Sequence, residues 1–154
     1  MAEGIGVVSE YATTVVRLFP DHAGSAIWFS SPLPYEESQL DAPLIADLRA
    51  WEDRHHDGLD SDYEWRTPEL ETHFHADGAR LARRLADQIG DDFQVQYELG
   101  GCHRRIRGVG PARNPDAAAV FHRLADTARE EWSRLRKMVD QAAEEGHALG
   151  WRAD

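Results

Sequence analysis

The chain has 154 residues, one cysteine and a formal net charge of −11, from 17 basic and 28 acidic residues. That length suits one domain over residues 1–154 with a core of its own, and a single cysteine excludes an internal disulfide. No Cys/His zinc spacing, basic leader or run of about 18 to 20 apolar residues is present, so the expectation is a cytoplasmic protein with no cofactor and no membrane partner.

In chain order, "ATTVVRLF" (12–19) and "SAIWFSS" (25–31) are rich in residues that favour extended structure. The turn-forming "PDHAG" between them predicts a hairpin. "PLPYEESQL" (32–40) reads as a proline-punctuated crossing. Asp41 then caps a helix in which Leu44, Ile45, Leu48 and Trp51 recur at helical spacing, to about His55 or His56.

Thr67-Pro68-Glu69 starts a second helix, because threonine accepts an orphan amide, proline at the first position forfeits nothing, and an acid suits the positive end. Its stripe runs through Leu70, Phe74, Leu81, Leu85 and Ile89, and Gly90 ends it.

In "DFQVQYELGGCHRRIRGV" (92–109), Phe93, Val95, Tyr97 and Leu99 alternate with polar residues, and Gly100-Gly101 supplies a two-residue hairpin turn. That turn sets Leu99 opposite Cys102, Tyr97 opposite Arg104 and Val95 opposite Ile106. Glu98 then meets His103, and Gln96 lines up with Arg105. Asn114-Pro115 begins a long C-terminal helix near 115–145 that either breaks at "DTAREE" or packs one end on a partner, a route to a homo-oligomer. Trp151 in the tail is expected to dock back or to meet a second chain. The fold class is therefore α+β: an antiparallel sheet of about four strands, from two hairpins, packed against three principal helices.

The charge is uneven. Residues 41–77 hold three basic against eleven acidic side chains, a surface that repels nucleic-acid phosphates and steers toward a basic partner. The centre of that region is "DSDYEWRTPELE" (60–71), whose Asp60, Asp62, Glu64 and Glu71 stand at calcium-loop offsets. Trp65 occupies the sixth place, where such a loop needs glycine, and the stretch reads instead as an acidic helix-to-helix connection. His73 and His75 lie about 200° apart on their helix and cannot share one ion, so no metal is expected. Cys102 and His103 are strand neighbours that point to opposite faces, and no nucleophile motif or phosphate-cradling loop occurs.

The segments "WFSSPLPYEESQLDAPLIADLRAWEDRHHDGLD" and "GARLARRLADQIGDDFQVQYE" resemble a pattern in small acidic proteins of high-GC bacteria. Some of these are similar to immunity partners of secreted bacterial toxins. The resemblance covers roughly residues 26 to 98 and implies no catalytic residue.

The leading expectation is a non-enzymatic, acidic protein-binding module, an immunity- or antitoxin-like inhibitor of a basic protein partner. Its partner-binding residues would be Asp57, Asp60, Asp62, Tyr63, Glu64 and Trp65. The alternative is a small-molecule-binding protein or enzyme subunit, with a pocket between sheet and helices that uses Tyr97, Arg104 and His103.

Overall fold

The computed structural model describes residues 7–21 and 23–148. Trp151 and the tail after Ala148 lie outside the described residues. The strands are β1 (Val15–Leu18), β2 (Ile27–Phe29), β3 (Ser31–Pro32), β4 (Gln94–Leu99) and β5 (Cys102–Arg107). The helices are α1 (Tyr35–Ser38), α2 (Ala42–Gly58), α3 (Pro68–Ile89) and α4 (Pro115–Ala148), with a 3₁₀ turn at Glu10–Ala12.

Both predicted hairpins form. The register of β4 on β5 is the expected one at every pair, from Gln94 opposite Arg107 to Leu99 opposite Cys102. Gly100 and Gly101 take φ of 61° and 78°, the left-handed values that a two-residue turn requires.

The sheet is not the antiparallel one expected. It has five strands in the order β3-β2-β1-β4-β5, and the inner strands of the two hairpins, β1 and β4, pair in parallel. The physical reason is the connection between the hairpins. Helices carry the chain back to the end of the sheet where β1 began, so β4 enters in the same direction. Among the described residues the helices number four rather than three. The segment read as a crossing contains the single-turn α1, whose Tyr35 is buried among the core residues.

One face of the sheet, with Val16, Leu18, Ile27, Phe29 and Val95, packs against the helices. From α3 it receives Phe74, Leu81, Leu85 and Ile89, while Leu70 at the helix start is exposed. The predicted caps appear as drawn: Asp41 accepts from the Leu44 amide, Thr67 from Leu70, and Asn114 from Ala117. Gln88 near the end of α3 joins two of these starts, since its side-chain oxygen accepts from the Asp41 amide and from Asn114 Nδ2.

Trp51 closes the layer between α2 and α3. Its ring stacks on Phe74 at 4.5 Å and 2°, and its Nε1 donates to the Phe74 carbonyl at 2.9 Å. Gly78 leaves the room for it, because a Cβ there would lie 2.8 Å from Trp51 Cζ2.

The helix α4 is continuous through "DTAREE" and extends about 51 Å by the usual rise per residue. Ala117, Phe121 and Ala125 are buried in the core, with Phe121 against Phe29 and Phe93. Farther on, the same stripe continues through Trp132, which is partly buried, and through Leu135, Val139 and Ala142, which are exposed among the described residues, Leu135 being half exposed.

Candidate functional site

The acidic connection between α2 and α3 is a built loop. The Asp60 amide donates to the Glu64 carbonyl at 2.8 Å, the Arg66 amide to Gly58, and Leu59 bridges to Trp65. The Asp60 carboxylate turns inward and accepts from the amides of Asp62 at 2.8 Å and Glu64 at 3.1 Å. That is the aspartate's ordinary work of organising a turn. Of the predicted partner-binding residues, Asp60 is thus a positioning residue for the others.

Tyr63 stands at the tip, 77% exposed and with φ of 62°. A bulky residue in that conformation is held there by its surroundings. Trp65 faces the other way. Its half-buried ring lies on Gly58, 5.0 Å from Phe74 and 5.6 Å from His55, and roots the loop in the core. Asp57, Asp62 and Glu64 present their carboxylates to solvent.

Two adjoining clefts run along the exposed side of α2. The first, about 650 Å³, is lined by His55, His56, Asp57, Asp60, Tyr63 and Arg66. The second, about 520 Å³, lies between α2 and the β1–β2 turn and contains Asp21, Arg49, Glu52, Asp53 and the same two histidines. Together they form a groove from Asp21 to Tyr63 whose lining sets five acidic side chains, Asp21, Glu52, Asp53, Asp57 and Asp60, against the two arginines Arg49 and Arg66.

Glu52 and Asp21 were not among the predicted site residues. The signal for Glu52 was available, because it follows Leu44 and Leu48 at four-residue spacing and so sits at the edge of the buried stripe of α2. It accepts a hydrogen bond from Tyr35 Oη at 2.6 Å. Burial raises its pKa above the ordinary 4.5, and this outweighs the Tyr35 hydrogen bond that favours the carboxylate. The Tyr35 phenol is pushed well up, first by burial and then by Glu52, so it remains a donor. Its oxygen also accepts from the Ala26 amide at 2.9 Å, which ties α1, α2 and β2 at one point.

The alternative trio is not brought together. Tyr97 and Arg104 pair on the helix side of β4 and β5, with Arg104 exposed, whereas His103 pairs with Glu98 on the opposite face. A cleft of about 400 Å³ that takes in Tyr97 and His103 centres on that opposite face, around Arg17. Among the described residues, no three His, Cys, Asp or Glu side chains converge as a metal site would, and no helix is long and apolar enough to cross a membrane.

A family model described as Serratia CdiI immunity protein-like matches residues 14–99. No curated protein and no solved structure matches the chain. The matched span runs from β1 to the end of β4 and contains α1, α2, α3 and the acidic groove. As that is more than half of the 154 residues, the chain belongs to the Serratia CdiI immunity protein-like family.

Proposed function

We propose that this protein is an immunity protein that neutralises a toxin by binding it, and that the toxin's basic surface seats in the groove along α2. The observation that carries the reading is the groove itself: a lining with five acidic side chains against two arginines, inside the family-matched span, with an exposed tyrosine at its rim. Such a field speeds encounter with a cationic partner, and tyrosine is among the side chains that most often supply the binding energy of an interface.

Glu52 makes the reading testable by pH. Its folded pKa lies above its unfolded one, so its charge disfavours folding at neutral pH, and that penalty fades as pH falls through the folded value. A cationic toxin side chain in the groove lowers this pKa, and binding therefore releases a proton. Affinity for the toxin is expected to rise with pH from about 4.5 through the raised value in wild type, and to rise less in Glu52→Gln. Calorimetric titration in buffers of different ionisation enthalpy counts the proton. Equal pH dependence in the two proteins would place the toxin elsewhere.

We also propose that the half of α4 beyond Ala125, where Leu135 and Val139 are exposed, pairs with a second copy. Its own domain covers the same stripe from Ala117 to Ala125, so only an antiparallel partner fits, with the two domains at opposite ends. That pairing sets Trp132 against Ala142, and Leu135 against Val139, large opposite small and medium opposite medium. Arg136 would face its own copy, so association should tighten as salt rises. Analytical ultracentrifugation of wild type against the double variant Leu135→Glu, Val139→Glu is expected to show a dimer and a monomer. A monomeric wild type at high protein concentration and high salt would remove the idea.

A further inference from the structure

The face of the sheet turned away from the helices carries a row of side chains set by the strand registers: Trp28 on β2, Arg17 on β1, Gln96 on β4 and Arg105 on β5. The two arginines are treated differently. Arg105 is fully engaged, donating to Glu10 Oε1 at 2.7 Å, to Gln96 Oε1 at 2.9 Å and to Tyr11 Oη at 3.3 Å.

Arg17 is half-buried, and its side chain has no hydrogen bond or ion pair with any described residue. Its guanidinium lies 4.6 Å from the Tyr11 ring and 5.9 Å from the Phe19 ring. Those rings attract the charge through their faces but accept no conventional hydrogen bond from it. The Nε of Arg17 is buried without an acceptor, and so is Nε1 of Trp28 beside it in the row.

Glu98 is on this face and lines the same cleft, yet forms no ion pair with Arg17, while the carboxylate of Glu10 is taken by Arg105. In a chain of net charge −11, a half-buried cation left without an anion is an exception that needs a cause. A buried charge is expensive until something pairs with it, and a buried donor without an acceptor adds to the cost.

We propose that the cleft around Arg17, about 400 Å³ and walled by Tyr11, Phe19, Gln96, Glu98 and His103, binds a carboxylate carried on a small flat body. The carboxylate pairs with the terminal amines of the guanidinium, whose planar fork matches its two oxygens. The aromatic walls of Tyr11 and Phe19 take the body. Phe19 is itself stacked on Trp28 at 5.1 Å, so a ligand that shifts Phe19 is reported by the Trp28 indole. The site lies on the face of the sheet opposite the helices and works independently of the toxin reading. The same carboxylate chemistry could come from a free metabolite or from an acidic side chain of a polypeptide, and the experiment separates them.

The test is a titration of the ¹⁵N-labelled full chain, following the Trp28 indole and Arg17 Nε–H cross-peaks. The probes are benzoate, its neutral isostere benzamide, inorganic phosphate and a blocked tri-glutamate peptide. Saturable shifts of both peaks with benzoate, and none with benzamide, are expected, with affinity at least tenfold weaker in Arg17→Gln. Saturation by the peptide but not by benzoate would assign the carboxylate to a polypeptide. Saturation by phosphate alone, no saturation by any probe, or equal binding in Arg17→Gln would overturn the proposal. Thermal melting supplies a second reading that does not depend on the probe. An arginine retained for a ligand leaves the free Arg17→Gln protein melting at or above the wild-type temperature, and a structural arginine lowers it.

Discussion

Trp51→Ala is expected to cost about 3–5 kcal/mol of folding stability, the range for removing a large aromatic side chain from a packed interior. Trp51 is only 3% exposed, and its ring fills the space that Gly78 leaves open. The deletion removes the stack on Phe74 and the hydrogen bond that the indole adds to the Phe74 carbonyl. Neither neighbour can close the gap, because glycine has no side chain and Phe74 is pinned between Trp51 and Trp65. Urea unfolding followed by circular dichroism would measure the loss as a lower midpoint at unchanged slope. Gly78→Ala approaches the same contact from the opposite side. The helix-propensity gain of about 1 kcal/mol is set against a Cβ inside contact distance of a clamped ring, and net destabilisation is expected. A stable Trp51→Ala protein would mean that α2 repacks on α3 without its central ring.

The second large effect is on toxin binding. Reversing Asp53 and Asp57 in the groove and Asp62 on the adjoining loop to lysine changes the charge of this surface by six units while sparing Asp60, whose carboxylate builds the loop. All three side chains are exposed and accept no hydrogen bond from another described residue, so folding stability should stay within about 0.5 kcal/mol for each site. The association rate with the cognate toxin is expected to fall by roughly 10- to 1000-fold, the span that electrostatic steering supplies. The wild-type rate should also drop with added salt, while the reversed protein's rate should not. Stopped-flow mixing at two ionic strengths reads both. An unchanged rate and an unchanged salt slope would take the acidic groove out of the interface.

The parts of this fold that could be read from the residues are those whose determinants lie within a few positions. Gly100-Gly101 between alternating strands dictated the β4–β5 register, and Thr67-Pro68 with Gly90 marked both ends of α3. The β1–β4 pairing was not legible, because each short strand's pattern states which face is buried and is silent on which strand lies beside it. The single turn α1 was hidden by the prolines around it, and its Tyr35 has no periodic partner to betray its burial.

The site was legible in the same uneven way. The acidic segment was visible as composition, but whether Asp60 and Trp65 face a partner or their own loop depends on turn geometry. Glu52 and Asp21 share a cleft only after β2 and α2 have packed. Arg17 looked like an ordinary polar residue in a strand until the sheet showed that no carboxylate among the described residues pairs with it.

The parallel contact of β1 with β4 also sets the order in which a growing chain can become native. Val15 and Gln94 must meet, so the first hairpin leaves the ribosome with its inner edge open and stays so until α2, α3 and β4 have followed. During synthesis that edge is a template for any extended segment nearby, including the same hairpin on another nascent chain. Every intermediate short of residue 99 therefore lacks the strand that closes the sheet's centre. Slow, late acquisition of protease resistance on stalled nascent chains, rather than stepwise gain, is what this topology dictates.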